Sequence, residues 1–375
     1  MTRDGRLAHC MKESAGTVKR AKDGGYVHVL VEDRIPFGAT RPDTISTTNG
    51  LPRRPAPGPT AVVPLEVRYA AYQKLIALSP ASLYPRELVN ATPDGLLARG
   101  LTPQDVHRFG ALPPRVRERD ELARVIDRFI EEQFPAYVEA HRMRGIIGIP
   151  GFWLKGHTLV KLGKDYDYER PALVIPYHDE QGSMQACQLR FPGRRGGYHW
   201  LSTAEDCLDR EAHGTSSGCP IHWTAPPGET LGCKGLPILV TEGALKAEVF
   251  VSLRPPMRAV ATAGVGVAHA EIVRALRGRD AIIGFDGDHR ENAQVCRQLG
   301  KLIAEREQDA LRIGQKNSTS VVIWEGAKGI DDAVRRNVRL RVLGVWEWRA
   351  TLKGKPFKGV EDVWAALTFA PAGGC

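Results

Sequence analysis

Three segments carry carboxylates in a pattern that suits a hard metal ion. Thr241-Glu242-Gly243 closes one apolar run, Asp286-Gly287-Asp288 closes another, and Lys328-Gly329-Ile330-Asp331-Asp332 follows a third. Asp286 and Asp288 stand two apart, so in an extended segment both side chains project to one side. Clustered carboxylates repel unless a cation neutralises them, and an oxygen-only donor set without His or Cys selects Mg²⁺ or Mn²⁺ over zinc. Such ions keep positions open for phosphate oxygens and stabilise the charge of phosphoryl transfer. The plain alternative for Asp286 and Asp288 is a helix N-cap with a solvated neighbour. Lys246 follows Glu242 by four residues. If a helix begins at Ala244, Lys246 lies in its first turn, where it either grips a phosphate or is solvated on an amphipathic face.

For these residues to meet, their segments must end at one edge of one sheet. Apolar runs at 236–240, 259–262, 281–285 and 320–324 alternate with helical spacing over 244–253, 268–277 and about 291–307. That order predicts a parallel sheet with crossover helices, in which ligands bind beyond the carboxyl ends of the strands. Gly243 allows a sharp strand-to-helix turn that leaves Glu242 at the rim, and Gly287 removes a side chain that would crowd an ion.

Upstream the pattern changes. Residues 145–235 read as an antiparallel α+β unit, with strands at 172–177 and 184–191 joined by a turn, and a third at 198–201 after a basic turn. Arg190, Arg194 and Arg195 with Tyr198, His199 and Trp200 suit a groove that tracks a single strand by phosphate contacts and base stacking; a solvated charged face is the alternative. His178 and His199 lack paired ligands and read as hydrogen-bonding histidines. Residues 65–144 are helical in spacing, with Tyr69, Tyr72, Leu75 and Ile76 on one face and Val125, Ile126, Phe129 and Ile130 on another. Thr102 followed by Pro103 reads as an N-cap with proline at the first helical position. A Pro-rich stretch at 34–64 reads as a flexible linker, and a short strand is expected within 25–31. The tail, 341–375, carries Trp346, Trp348 and Trp364 and receives no role.

Composition sets the outer bounds. The 375 residues fit two or three domains, and 52 Lys+Arg against 43 Asp+Glu give a net charge of +9, which favours polyanionic partners, nucleic acid first. No apolar run approaches the ~20 residues of a membrane span and no leader opens the chain, so a soluble cytoplasmic protein without a membrane partner is expected. Seven scattered cysteines without a CxxC pair exclude a disulfide scaffold. No GxxxxGKS/T loop for ATP hydrolysis is present.

Together these residues resemble the Toprim domain shared by bacterial replicative primases, type IA and II topoisomerases, old-type nucleases and recombination mediators. The upstream "IPYHDEQGSMQACQLRF" and "RRGGYHWLS" resemble the basic subdomain of bacterial-type primases. Closer still is an uncharacterised Toprim-related family of plasmid, phage and integrative-element replication proteins. Its features stand here as "LLARGLTPQDV" (96–106), "GIPGFW" (148–153), "TEGALKAEV" (241–249), "FDGD" (285–288) and "WEGAKGIDD" (324–332). The resemblance spans roughly 65–334.

It implies an α/β chain, with a Toprim domain of about four mainly parallel strands (236–340) preceded by the basic antiparallel α+β subdomain and the helical region. Glu242 is implied as general acid/base near the metal, Asp286 and Asp288 as metal ligands, and Asp331 as a further metal position. The partner position of Asp331 is Gly329, and Asp332 either substitutes or caps a helix. Lys246 has no counterpart in replicative primases but fits the uncharacterised family. Residues 1–33 resemble the second half of a primase zinc module, with Cys10 as its last ligand; lacking an upstream CxxC, this arm is truncated, degenerate or unrelated, and no complete zinc site is expected. The implied activity is Mg²⁺- or Mn²⁺-dependent primer synthesis from nucleoside triphosphates on a single-stranded DNA template, with a replicative helicase as partner. A Toprim nuclease and a non-catalytic strand-binding or helicase-recruiting module are the rivals.

Overall fold

In the computed structural model the described residues are 7–10, 17–20, 26–29, 61–90, 95–141, 144–156, 158–193, 197–203, 214–224, 235–287, 292–315 and 317–352. They fall into two units, Met1–Arg54 and Pro55–Cys375. The first holds β1 (Leu7–Cys10), β2 (Thr17–Arg20) and β3 (Tyr26–Val29), paired antiparallel with β3 in the middle. β3 is the strand expected within 25–31. The side chain of Cys10, most of the 34–64 stretch and Trp364 lie outside the described residues.

The second unit begins with α1 (Leu65–Leu78), α2 (Pro103–Val106), β4 (Gly110–Leu112), α3 (Val116–Gln133) and α4 (Pro135–His141). Thr102 caps α2 as expected, in a reciprocal box with Asp105. A hairpin of β5 (Phe152–Lys155) and β6 (Leu159–Leu162) follows. Next come β7 (Ala172–His178), β8 (Met184–Arg190) and β9 (Tyr198–Trp200), the three antiparallel strands expected from the alternation. β4 adds to the edge of β7, giving the order β4-β7-β8-β9. One face of this sheet packs on α1 and α3 through Tyr72, Leu75, Ile126, Val174 and Leu189.

The rest of the unit is β10 (His222–Trp223), β11 (Ile238–Glu242), α5 (Ala244–Leu253), β12 (Ala259–Thr262), α6 (His269–Ala275), β13 (Ala281–Ile283), α7 (Ala293–Ile313), β14 (Thr319–Ile323), α8 (Ile330–Arg335), β15 (Arg341–Gly344) and α9 (Val345–Thr351). The strand order is β10-β12-β11-β13-β14-β15. The four inner strands are parallel, and β10 and β15 close the edges antiparallel. The expected four parallel strands are therefore the centre of a six-stranded sheet. The chain of the sheet also runs past residue 340: β15 pairs with β14, and Trp348 of α9 is fully buried in the core.

Strict alternation builds the two faces of this sheet. Val240, Val260, Val321 and Ile323 point toward α6, α7 and α9, whereas Leu239, Ala259, Ala261 and Val322 point toward α5 and α8. α5 is enclosed on both flanks. Ala247, Phe250 and Val251 pack on the parallel sheet, while Ala244, Leu245 and Val249 meet Leu173, Ile175 and Tyr177 of the antiparallel sheet. A helix apolar nearly all round belongs between two layers. The charged side chains it holds there, Lys246 and Glu248, are therefore costly and need partners.

Candidate active site

The strand order fixes where a ligand enters. From β11 the chain crosses to β12 on one side, whereas β13 and β14 lie on the other. The connections leaving the carboxyl ends of β11 and β13 therefore diverge and open a crevice. Glu242 is the last residue of β11, and Asp286 follows β13 by three residues. Gly243 makes the turn into α5 at φ +79°, with its N–H donating to the Thr262 carbonyl at 2.6 Å. Only glycine adopts that backbone without strain, so the strand can stop at Glu242 and the helix begin two residues later.

Lys246 stands between the two acids. Its Nζ donates to Glu242 Oε1 at 2.9 Å and also to Asp286 Oδ1. Burial disfavours the ammonium, but the carboxylates of Glu242 and Asp286 outweigh it and hold the lysine above its usual range. Burial also pushes the Asp286 carboxyl up to about 6; Glu242 adds to the rise and Lys246 opposes it. Lys328 Nζ lies 3.9 Å from Asp286 Oδ2. Asp331 sits buried in the first turn of α8, with Arg99 Nη1 3.5 Å from its Oδ2.

The sequence-expected residues separate in space. Glu242, Asp286 and Lys246 meet, and Asp331 comes close: a Cβ built at Gly329 would lie 2.4 Å from Asp331 Oδ1 and 3.4 Å from Lys246 Cε. Asp332 instead pairs with Arg335 at 2.8 Å on the exposed side of α8. Asp288 lies outside the described residues, as do Arg194 and Arg195. Gly287 serves packing rather than ion access, because a Cβ there would meet the Trp324 indole nitrogen at 2.9 Å and the Ala327 carbonyl at 3.1 Å. On the hairpin face, Tyr198 is exposed and Arg190 is buried beneath it, its guanidinium 5.6 Å from the ring centre. Trp200 packs on Tyr177 at 4.6 Å between ring centres. Of the residues given to strand binding, Tyr198 thus presents an open ring, and Arg190 supports it from below.

One cluster escaped the sequence reading. His178, His222 and Glu248 bring ligand-type atoms within 4.8 Å of one another. Their hydrogen bonds are already assigned, however. The backbone N–H of His178 donates to His222 Nδ1 at 3.2 Å, so His222 carries its proton on Nε2 and gives it to Glu248 Oε1 at 3.0 Å. Arg108 Nη1 takes the other Glu248 oxygen at 2.6 Å. This is a proton-bearing ion-pair chain, with no lone pair of His222 left to offer a metal. The LLARGLTPQDV motif acquires a role beside it: its Asp105 accepts from Arg108 and from Ser252 of α5, each at 2.7 Å, so the segment clamps the helix that carries Lys246.

The parallel sheet with helices on both faces and acids at its carboxyl edge, preceded by an antiparallel α+β unit, makes this an α/β chain as the sequence order predicts. No family model and no curated protein matches the sequence. Among solved structures the chain is similar to a DNA primase domain from Pseudomonas aeruginosa, at 18% identity over 78% of this chain and 79% of that one, with a TM-score of 0.46. It is also similar to the DnaG primase catalytic domain bound to ssDNA, at 16% identity over 81% and 92% of the two chains and a TM-score of 0.44. The E. coli primase catalytic core aligns at 17% identity over 77% and 79%, with a TM-score of 0.44. Among the described residues no helix is long and apolar enough to cross a membrane.

Proposed function

We propose that the chain is a primase-like nucleotidyltransferase of a mobile-element replication system, acting on a single-stranded DNA template with nucleoside triphosphates and working beside a replicative helicase. The convergence of Glu242 and Asp286 at the crevice between β11 and β13 carries this reading: one ammonium reaches both carboxylates. That donor set fits a hard divalent cation, since it is oxygen only and already centred on a positive charge. Glu242 and Asp286, with Asp288 and Asp331, would hold Mg²⁺ or Mn²⁺. When bound, the ion supplies charge stabilisation for phosphoryl transfer.

The chain's own residues do the rest. Glu242, at the rim, would take the proton of an attacking 3′-hydroxyl. Lys246, at the start of α5, supplies an ammonium to phosphate oxygens entering the crevice. Tyr198 offers a stacking face for template bases, and the net charge of +9 draws the strand in.

The test is nucleotidyl transfer on a single-stranded template with labelled nucleotides and Mn²⁺ or Mg²⁺, run beside Asp286→Asn. Short products from the wild type, reduced at least about a hundredfold in the variant, are the expected result. Metal-dependent loss of the template without synthesis would make the chain a nuclease built on the same acids. Strand binding that survives the substitution, with neither activity, would leave a binding module.

A further inference from the structure

Every carboxylate described in the crevice already has a cation beside it. Lys246 bridges Glu242 and Asp286, Lys328 approaches Asp286 from the other side at 3.9 Å, and Arg99 stands 3.5 Å from Asp331. The Lys246 side chain is the centre of this arrangement, and α5 cannot carry it elsewhere. Ala244, Leu245, Ala247 and Val249 are all essentially inaccessible, packed against two sheets. Only the four-carbon stem can move. Gly329 borders that stem, its Cβ position lying in ordinary contact with Lys246 Cε at 3.4 Å. The ammonium and a divalent cation would also seek the same oxygens.

From this geometry we infer that Lys246 is a built-in counter-ion occupying the cation seat between Glu242 and Asp286, and that a divalent metal gains those carboxylates only by displacing it. The inference rests on reading the crevice as a metal-dependent site and adds a control to it. Without metal, Lys246 offsets one of the two crowded negative charges and bridges both carboxylates. Metal arrival releases the ammonium toward the open side of the crevice, where phosphate enters. The affinity for free metal is then the difference between two cations competing for one seat, and it is weak by construction.

Binding of Mn²⁺ to the full chain, followed by the loss of the free-ion electron paramagnetic resonance signal, tests this directly. Lys246→Met keeps the stem and removes the charge, and it should bind Mn²⁺ at least about tenfold more tightly than the wild type. Equal or weaker binding by the folded variant would overturn the inference. A second readout needs no variant. Acetylation of wild-type lysines, mapped by mass spectrometry, should be slow at Lys246 in the free protein and accelerate severalfold with Mn²⁺, while exposed Lys301 stays constant. An unchanged Lys246 rate at saturating Mn²⁺ would also overturn it. Neither readout uses primer synthesis. A wild type that makes no primer yet shows both responses would remove the proposed activity and keep the counter-ion; primer synthesis with neither response would do the reverse.

Discussion

Gly329 decides how the carboxylate of Asp331 is held. Its backbone is ordinary extended chain, so the demand for glycine there comes from space alone. A methyl group would lie 2.4 Å from Asp331 Oδ1, the free end of a side chain that can turn away. Gly329→Ala is therefore expected to cost the fold little, within about 1 kcal/mol, while rotating Asp331 out of reach of Arg99. Nucleotidyl transfer should fall on the order of a hundredfold with an almost unchanged urea midpoint, because a misplacement of about 1 Å in a site costs that much. Activity and stability falling together would assign Gly329 to packing. Glu242 and Asp286 were readable from the chain because each ends an apolar run at a strand's carboxyl edge. The seat of Lys246 between them was half legible: its i,i+4 spacing from Glu242 is the signal of a side-chain pair, but nothing local shows that Asp286, forty residues on, shares the same ammonium.

Among the elements, the turn after β13 sets the position of Asp286. Gly284 donates its N–H to the Val240 carbonyl at 2.8 Å and lies under three side chains. An added Cβ would meet Val322 Cγ1 at 2.8 Å, Ile330 Cδ1 at 2.9 Å and Leu239 Cδ1 at 3.2 Å. These belong to β14, α8 and β11, so the strain of Gly284→Ala cannot be relieved at one place. The expected loss is about 1–3 kcal/mol in urea unfolding, with Mn²⁺ binding weakened as Asp286 shifts. A variant as stable as the wild type would show that β13 slides freely. The same elements mark what sequence pattern can reveal. α5 and β12 have the bounds that their patterns give, because Gly243 marks the start of the helix and Arg254-Pro255-Pro256 separates it from the strand. β10 and β4 were missed because two or three residues show no alternation. β15 was missed for another reason: it is an edge strand with Arg341 and Val342 exposed, and only its pairing with β14 identifies it.

Across the whole second unit, one buried chain of hydrogen bonds joins the three layers around α5. Arg108 leads from the α2 segment to Glu248 on α5, Glu248 to His222 on β10, and His222 to the backbone of His178 on β7. No local pattern foretells it, because Arg108 and Glu248 are 140 residues apart in the chain. Glu248 is wholly buried, a state that burial alone would oppose, but its hydrogen bond to His222 and the charge of Arg108 hold its carboxyl below the usual range. The value of His178 is lowered as well, but for a histidine that keeps the ring neutral. Burial first, then His222, and with them Arg108, lower it to about 4 against the opposing charge of Glu248. A histidine depressed in the folded state contributes its full stability above its unfolded value of 6.5 and loses it as pH falls toward 4, because the unfolded chain takes the proton first. The full span amounts to about 3 kcal/mol. Asp286, lifted to about 6, works in the opposite sense over part of that range, so the comparison must be between two proteins. His178→Leu supplies it, since the buried Nδ1 of His178 has no hydrogen-bond partner among the described residues and its removal orphans nothing. At pH 8 the urea midpoints of variant and wild type should nearly coincide. Between pH 6.5 and 4.5 the wild type should lose ground steadily relative to the variant. Below that window the two curves should fall in parallel as Glu248 protonates and the chain that binds α5 to both sheets comes apart. Curves that stay parallel from pH 8 downward would mean that His178 charges without cost, and that its ring is not held in the interior by this network.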